Sequence, residues 1–282
     1  MKVSVIIPLY KDLKSLKIVL EAFQRQTYQN FELVVTEDDD SSLTVEFLKR
    51  FKDLNIIHLQ QPDTGRNKVI AQNRAIVKST GTYLIFIDGD IVPFKHFIEY
   101  SVALSKPKRV LSGRRVNLPQ AITEKIKKDI YDICTIEKHY FKFVWQNKNN
   151  RDIRAEQGIQ LNPNDWFYTQ IISKRKRNSE ILGCNFSCFK EDIVAINGFD
   201  EEYHPLATLA DDTDLTWRFK GMGYELLSSK NIVNCFHLWH ERGVSNANFH
   251  PQNDIKLFKY KKKNLVYICK DGLDKYLKDN VE

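Results

Sequence analysis

Nowhere in the 282 residues does an apolar run approach the roughly 18 residues of a membrane-spanning helix. No C-x-x-C pair occurs, and the five cysteines (Cys134, Cys184, Cys188, Cys235 and Cys269) are an odd number. A disulfide framework is therefore not expected, and the cysteines read as reduced thiols of a cytoplasmic protein. The apolar opening, Met1 to Pro8, is too short for a signal peptide and reads better as a first strand. Internal repeats and low-complexity tracts are also lacking. What remains, 42% hydrophobic and 28% charged residues, is the composition of an ordinary soluble chain with enough length for one large domain or two small ones. The net charge of +7 gathers in Lys174–Arg177 and in Lys259 with Lys261–Lys263. Such runs are ordinarily solvated surface, the alternatives being an anionic membrane surface or a phosphate-bearing substrate. Nucleic acid is not an expected partner, because no zinc-finger spacing, RNA-binding aromatic signature or helix-turn-helix accompanies the charge.

The first 115 residues alternate strand and helix signals. Val3 to Leu9 reads as a strand, and Asp12 can cap a helix whose Leu13, Leu16, Val19, Leu20 and Phe23 share one face. Strands follow at Phe31–Thr36, Asn55–Leu59, Tyr83–Ile87 and Arg109–Ser112, with helices at Leu43–Phe51, Lys68–Val77 and Pro93–Leu104. This repetition implies a mainly parallel sheet with right-handed crossovers, whose strand ends bring Tyr10, Glu37-Asp38 and Asp88-Asp90 towards one crevice. The Tyr83 strand is apolar throughout and ends in Asp88-Gly89-Asp90. Two carboxylates one residue apart repel, and a divalent cation relieves that cost. A polar turn is the plainer explanation of the same three residues.

Residues 116–180 read as a helical, then irregular insertion whose aromatics (Tyr140, Phe141, Phe143, Trp145, Trp166, Phe167, Tyr168) pack it onto the body, or less readily stack on sugar. From Ile181 the chain is compact again, with Gly183–Phe186 leading into a helix near Lys190–Ile196, then the run Asp211-Asp212-Thr213-Asp214. Acids there suit the start of a helix, and one of the three is expected to cap it. His237-Leu238-Trp239-His240 offers two imidazoles, common transition-metal ligands. The tail, 251–282, is a basic amphipathic helix. Its Lys259–Lys263, with Leu257, Phe258, Leu265, Val266 and Tyr267, could attach the chain to a membrane surface.

These pieces together resemble family 2 glycosyltransferases of the GT-A fold. The resemblance is carried by VSVIIPLYKD at the start, the second strand ending in Glu37-Asp38-Asp39-Asp40, the Asn73-Arg74-Ala75 helix and the IFIDGD strand. GCNFSCFKEDIVAINGFDEEY (Gly183–Tyr203) and ADDTDLTWRFKGMG (Ala210–Gly223) resemble the C-terminal region of galactosyltransferases. The fold implied is α/β, GT-A type: a mainly parallel twisted sheet flanked by helices, with a helical insertion and a C-terminal acceptor-side region. The division implied is 1–115 for nucleotide-sugar binding, 116–180 for the insertion, 181–250 for the catalytic half of the same domain, and 251–282 for the tail.

The resemblance also implies roles. Asp90 and His240, with His237 and Asp88, would hold Mn²⁺ or Mg²⁺, Asp88 lying closer to the ribose or the metal's waters. Asp212 would be the base of an inverting displacement. Pro8, Tyr10, Asp38 or Glu37, Arg66 and Asn73 match positions on the nucleotide side, with Arg66 or Lys68 for the diphosphate. An acid near the uracil N3–H favours a UDP-sugar donor, namely UDP-galactose, UDP-N-acetylgalactosamine or a close epimer. The acceptor implied is a glycan, perhaps lipid-linked, at the inner face of the cell membrane. Gln72 stands where many relatives have Arg, and His204–Leu209 replaces the usual glycine- and tryptophan-rich acceptor loop. A sugar-1-phosphate nucleotidyltransferase is the alternative enzyme, but Pro8–Asp12 replaces its glycine-rich loop. A non-catalytic sugar- or nucleic-acid-binding protein is the third reading.

Overall fold

Four runs of β-branched and aromatic residues form the parallel part of the sheet: β1 (Val3–Leu9), β2 (Phe31–Glu37), β3 (Ile56–Gln60) and β4 (Tyr83–Ile87). Their order is β3-β2-β1-β4. The computed structural model describes residues 1–63, 65, 67–205, 209–241 and 251–278. Alternate residues of β1 and β4 serve opposite faces, as a period of two requires. Val5, Ile7, Ile85 and Ile87 pack with Leu16, Val19 and Leu20 of α1 (Leu13–Phe23). Ile6, Leu84 and Phe86 pack with Ala75 and Ile76 of α3 (Lys68–Lys78), which follows α2 (Ser42–Leu48) in the chain. Both faces are covered, so these strands are apolar end to end. Asp12 caps α1 as expected, accepting from the Ser15 N–H at 3.0 Å and the Ser15 hydroxyl at 2.7 Å.

Beyond β4 the sheet becomes mixed. Asn185–Phe189, the lead into the helix at Lys190–Ala195, is itself a strand, β8; it lies antiparallel between β4 and β6 (Arg109–Ser112). Phe186 stacks on Phe86 with centroids 4.5 Å apart, and the Tyr83 and Ser187 hydroxyls lie 2.8 Å apart. Those two cross-strand contacts, invisible in a five-residue window, make the segment a strand. β9 (Glu225–Ser228) closes the edge, parallel to β6, and the full order is β3-β2-β1-β4-β8-β6-β9. A second sheet is built from β5 (Ile91–Pro93), β10 (Cys235–His237) and β7 (Val116–Asn117), with β10 central. Pro93 therefore ends an edge strand, where its missing N–H costs nothing, and α4 (Phe97–Leu104) begins only at Phe97.

The insertion forms α5 (Gln120–Lys127), α6 (Ile133–Lys138) and α7 (Tyr140–Gln146). Its aromatics divide: Tyr140, Phe143 and Tyr168 are buried, whereas Phe141, Trp145, Trp166 and Phe167 are exposed. After α8 (Lys190–Ala195) and α9 (Thr213–Gly221), the tail forms α10 (Pro251–Lys263) and α11 (Asp274–Lys278). Its apolar side is largely spent on the body: Phe258 and Tyr267 pack on Trp217 of α9 at 5.7 and 5.0 Å. Lys261 is buried, paired with Asp200 and, at 2.6 Å, with Glu202. The amphipathic tail is thus packed on the body, while Tyr260 and Leu265 stay exposed. No helix among the described residues is long and apolar enough to cross a membrane.

Candidate active site

The C-terminal ends of β1, β2 and β4 lie side by side. Leu9 is in register with Glu37, and the Asp38 N–H donates to the Leu9 carbonyl at 3.1 Å. A side chain at Gly89 would stand 2.9 Å from the Pro8 carbonyl oxygen, so glycine lets the two strand ends touch. Pro8, Tyr10, Asp38 and Asp88 therefore gather at one edge, with Tyr10 exposed to solvent.

Asp90 faces two histidines. Its Oδ2 lies 3.3 Å from His237 Nε2 and 3.2 Å from His240 Nε2, and the potential ligand atoms of the three residues fall within 4.8 Å of one another. The antiparallel pairing of β5 with β10 makes this possible, because it sets His237 opposite Ile91, the residue after Asp90. The tautomers are fixed from behind. His240 Nδ1 is 2.8 Å from the Glu241 carbonyl, so it must carry the hydrogen. His237 Nδ1 is 3.2 Å from Asn117 Oδ1, an amide oriented by its own N–H₂ donation to the Asp152 carbonyl at 2.7 Å. In the neutral rings both Nε2 lone pairs then point at a carboxylate, which only a cation or two extra protons can relieve.

The other oxygen, Asp90 Oδ1, is buried with no hydrogen-bond partner among the described residues. Burial pushes the Asp90 carboxyl up, but when both imidazoles carry protons the His237 hydrogen bond and the charges of His237, His240 and Arg115 bring it below its ordinary value. An orphaned oxygen beside two imidazole lone pairs fits a divalent cation that accepts mixed N/O ligands.

Across the crevice stand the three acids of 211–214, and each does something different. Asp214 is fully buried, bonded to Arg218 Nε at 2.5 Å and to the Tyr203 hydroxyl at 3.0 Å. Asp211 holds Lys68 at 2.7 Å. Asp212 occupies the cap position of α9, yet no side chain caps that helix; the capping expectation fails because Asp212 Oδ1 accepts instead from the Gly183 N–H. Gly183 is required there, since a Cβ would sit 2.7 Å from Asp212 Oδ1. Burial and the Asp211 charge push the Asp212 carboxyl up to about 6, against the opposing pull of the Gly183 N–H and Lys68. Lys68 links the two acidic motifs: its Nζ is 2.7 Å from Asp88 as well as from Asp211. Burial opposes its charge, but the two carboxylates more than offset that and hold it protonated.

Some predicted residues are not brought into this crevice. Glu37 is turned inward, its oxygens taken by Thr44 at 2.5 Å and His58 at 3.0 Å. Asp38 instead faces the 61–67 segment, accepting from Gln61 and from the Asn67 N–H at 2.8 Å. Asn73 is fully buried and clasps the turn after α8: it bonds the Phe199 carbonyl and N–H, both at 2.8 Å, and Glu201 at 2.7 Å. Both ends of its amide are engaged in that turn. Arg66 lies outside the described residues, as do Leu206–Thr208 of the replaced loop. One cation was not foreseen. Arg115 donates to Cys184 Sγ at 3.0 Å and feels the charges of Asp88 and Asp90. Its signal was its place, three residues beyond the end of β6.

The model of glycosyl transferase family 2 matches residues 4–180. The pneumococcal glycosyltransferase GlyA (Streptococcus pneumoniae serotype 4) is 31% identical over 91 residues, which cover 32% of this chain and 13% of that protein. The chain thus spans far less than two thirds of such a relative's length. Among solved structures, Staphylococcus aureus TarS 1–349 in complex with UDP-GlcNAc has a TM-score of 0.62 at 16% identity, covering 98% of this chain and 69% of the other. The mannosyltransferase PcManGT from Pyrobaculum calidifontis, in complex with GDP-Man and Mn²⁺, has a TM-score of 0.55 at 18% identity, covering 86% and 58%. These likenesses are of fold, and the fold is the expected GT-A type. Asp212, His237 and His240 lie beyond the residues that the family model matches.

Proposed function

We propose, from the premise that the chain belongs to glycosyl transferase family 2, that it moves a hexose or N-acetylhexosamine from a UDP-sugar to a glycan hydroxyl with inversion. The observation that carries this reading is the convergence of Asp90, His237 and His240 on one point, with Lys68 bonded both to Asp88, two residues before Asp90, and to Asp211, the neighbour of Asp212. The neighbours bound to UDP-GlcNAc and to GDP-Man with Mn²⁺ support a nucleotide-sugar donor and a divalent ion.

In this reading Asp90, His237 and His240 hold Mn²⁺ or Mg²⁺, with Asp88 beside them. When bound, the ion offsets negative charge on the departing diphosphate. Lys68 exchanges its carboxylate partners for a phosphate oxygen, giving up one charge-assisted bond for another. That release leaves Asp211 and Asp212 with less positive charge nearby, which makes Asp212 a better base for the acceptor proton. Gly183 keeps Asp212 aimed while that proton moves. Pro8, Tyr10 and Asp38 flank the nucleotide. The products belong to polysaccharide synthesis, made at the inner side of the membrane.

A panel of UDP-sugars, with GDP-mannose as control, should show slow release of UDP from one donor in the presence of Mn²⁺. Asp90→Ala should abolish metal-supported UDP binding by calorimetry. Release of pyrophosphate from a nucleoside triphosphate and sugar phosphate, without UDP release from any UDP-sugar, would instead identify a nucleotidyltransferase.

A further inference from the structure

The basic run at 174–177 has no place in the reaction above, yet it does not simply lie in solvent. Its residues Arg175–Arg177 and the edge strand β9 line a half-open pocket of about 150 Å³. At a share of about 30 Å³ per water in the liquid, that is room for about five waters, or for a phosphoryl group. Arg175, Lys176 and Arg177 line it, and no carboxylate does. Among the described residues neither Arg175 nor Lys176 has an acidic partner. Arg177 is anchored on neutral groups, the Lys230 carbonyl at 2.5 Å and Asn231 Oδ1 at 3.2 Å, so its charge is positioned without being neutralised.

A second observation points into the same space. Ser228 is buried and lines the cavity, and its hydroxyl has no hydrogen-bond partner among the described residues. A buried hydroxyl left unpaired is costly, and the positive charge of the exposed Arg175 and Lys176 and the half-buried Arg177 lies along the same space. An oxyanion relieves both: it accepts from the hydroxyl and pairs with the guanidinium and ammonium groups.

Position decides which reactant carries the anion. In the order β3-β2-β1-β4-β8-β6-β9, the nucleotide-side residues end β1 and β2, while the cavity sits on β9, on the other side of β4. A short stretch of chain joins it to the residue that bonds the proposed base. Ser179 lines the cavity, and four residues later Gly183 bonds Asp212. Four extended residues span at most about 14 Å.

We propose that this cavity is a phosphate subsite on the acceptor side, taking a phosphoryl group borne by the glycan acceptor. The assignment to the acceptor rests on the glycosyl-transfer reading; the binding of phosphate does not. The test titrates inorganic phosphate by calorimetry into the full chain as wild type, Arg175→Ala/Lys176→Ala, Ser228→Ala and Asp90→Ala. Phosphate affinity should fall about tenfold or more in the double variant and by a smaller factor in Ser228→Ala, and stay at the wild-type value in Asp90→Ala. UDP affinity should be unchanged in the double variant. Absence of phosphate binding in the wild type, or binding lost in Asp90→Ala and kept in the double variant, overturns the proposal. UDP-sugar hydrolysis without acceptor, measured with and without phosphate, separates the two sources. A rate indifferent to phosphate supports an acceptor-borne group. A phosphate-dependent rate that vanishes in the double variant assigns the cavity to free phosphate and overturns the acceptor assignment. If no variant binds UDP, glycosyl transfer fails while the phosphate result stands by itself.

Discussion

In the first 115 residues, Pro8, Tyr10, Asp38 and Asp88 stand at the ends of parallel strands that follow one another in the chain. From residue 181 onward, the corresponding groups come from unlike places: Gly183 before an antiparallel strand, Asp212 at a helix start, and His237 and His240 at and beyond a strand of another sheet. The first half makes its site by repetition, since every β-α unit delivers a strand end to the same edge. The second makes it by specific long-range contacts. A site of the first kind follows from the regular order of the sheet, whereas one of the second kind depends on each clasp that holds it.

That contrast can be broken by experiment. The largest effect is expected at the base: Asp212→Asn should lower transfer by about 10²- to 10⁴-fold while UDP binding is kept, measured by steady-state kinetics and calorimetry. Near-normal turnover in that variant would remove Asp212 from the mechanism. Next comes the clasp beneath it. Arg218 is fully buried, bonded to Asp214 and to the carbonyls of Ile196 and Gly198 at 2.8 and 2.9 Å. Arg218→Ala should cost about 3–5 kcal/mol in urea unfolding, because it strands a buried carboxylate.

A smaller loss is expected between the halves. Asn73→Ala should cost about 1–3 kcal/mol with UDP affinity unchanged, since its amide holds the turn after α8. A selective loss of UDP affinity would return Asn73 to the nucleotide. The subtlest effect is in pH. With the Asp212 carboxyl pushed up from 3.8 to about 6, the folded chain keeps that proton where the unfolded chain has lost it. This group's contribution to stability therefore falls as pH rises from about 4 to 6. As a base it works only when ionised, so the acidic limb of kcat/KM should lie near pH 6. Lys68→Ala should move that limb upward by removing a cation that favours the charged form.

Much of the first half was legible because its signals are local. The apolar run of β4 followed by Asp88-Gly89-Asp90 is readable in eight residues, and the cap at Asp12 in four. Asn185–Phe189 was not, because a short segment with Asn, Ser and Cys among its aromatics becomes a strand only when Phe86 and Tyr83 stand beside it. The choice between Glu37 and Asp38 was likewise open in sequence. Both carboxylates are buried and bonded, Glu37 to Thr44 and His58 and Asp38 to Gln61 and the Asn67 N–H. The lysines of the tail look alike in sequence, yet Lys261 alone among Lys259–Lys263 meets Asp200 and Glu202 in the interior.

The amino-acid order by itself determined that this would be an α/β chain with acids at strand ends, because hydrophobic periodicity and turn chemistry act over a few residues. Tertiary structure alone decided which charges meet. Lys68 lies between acids 20 residues and 143 residues away in the chain, and Asp90 faces histidines about 150 residues downstream. Coulomb and hydrogen-bond energies depend on separation in space, and only the packed sheets convert one kind of distance into the other.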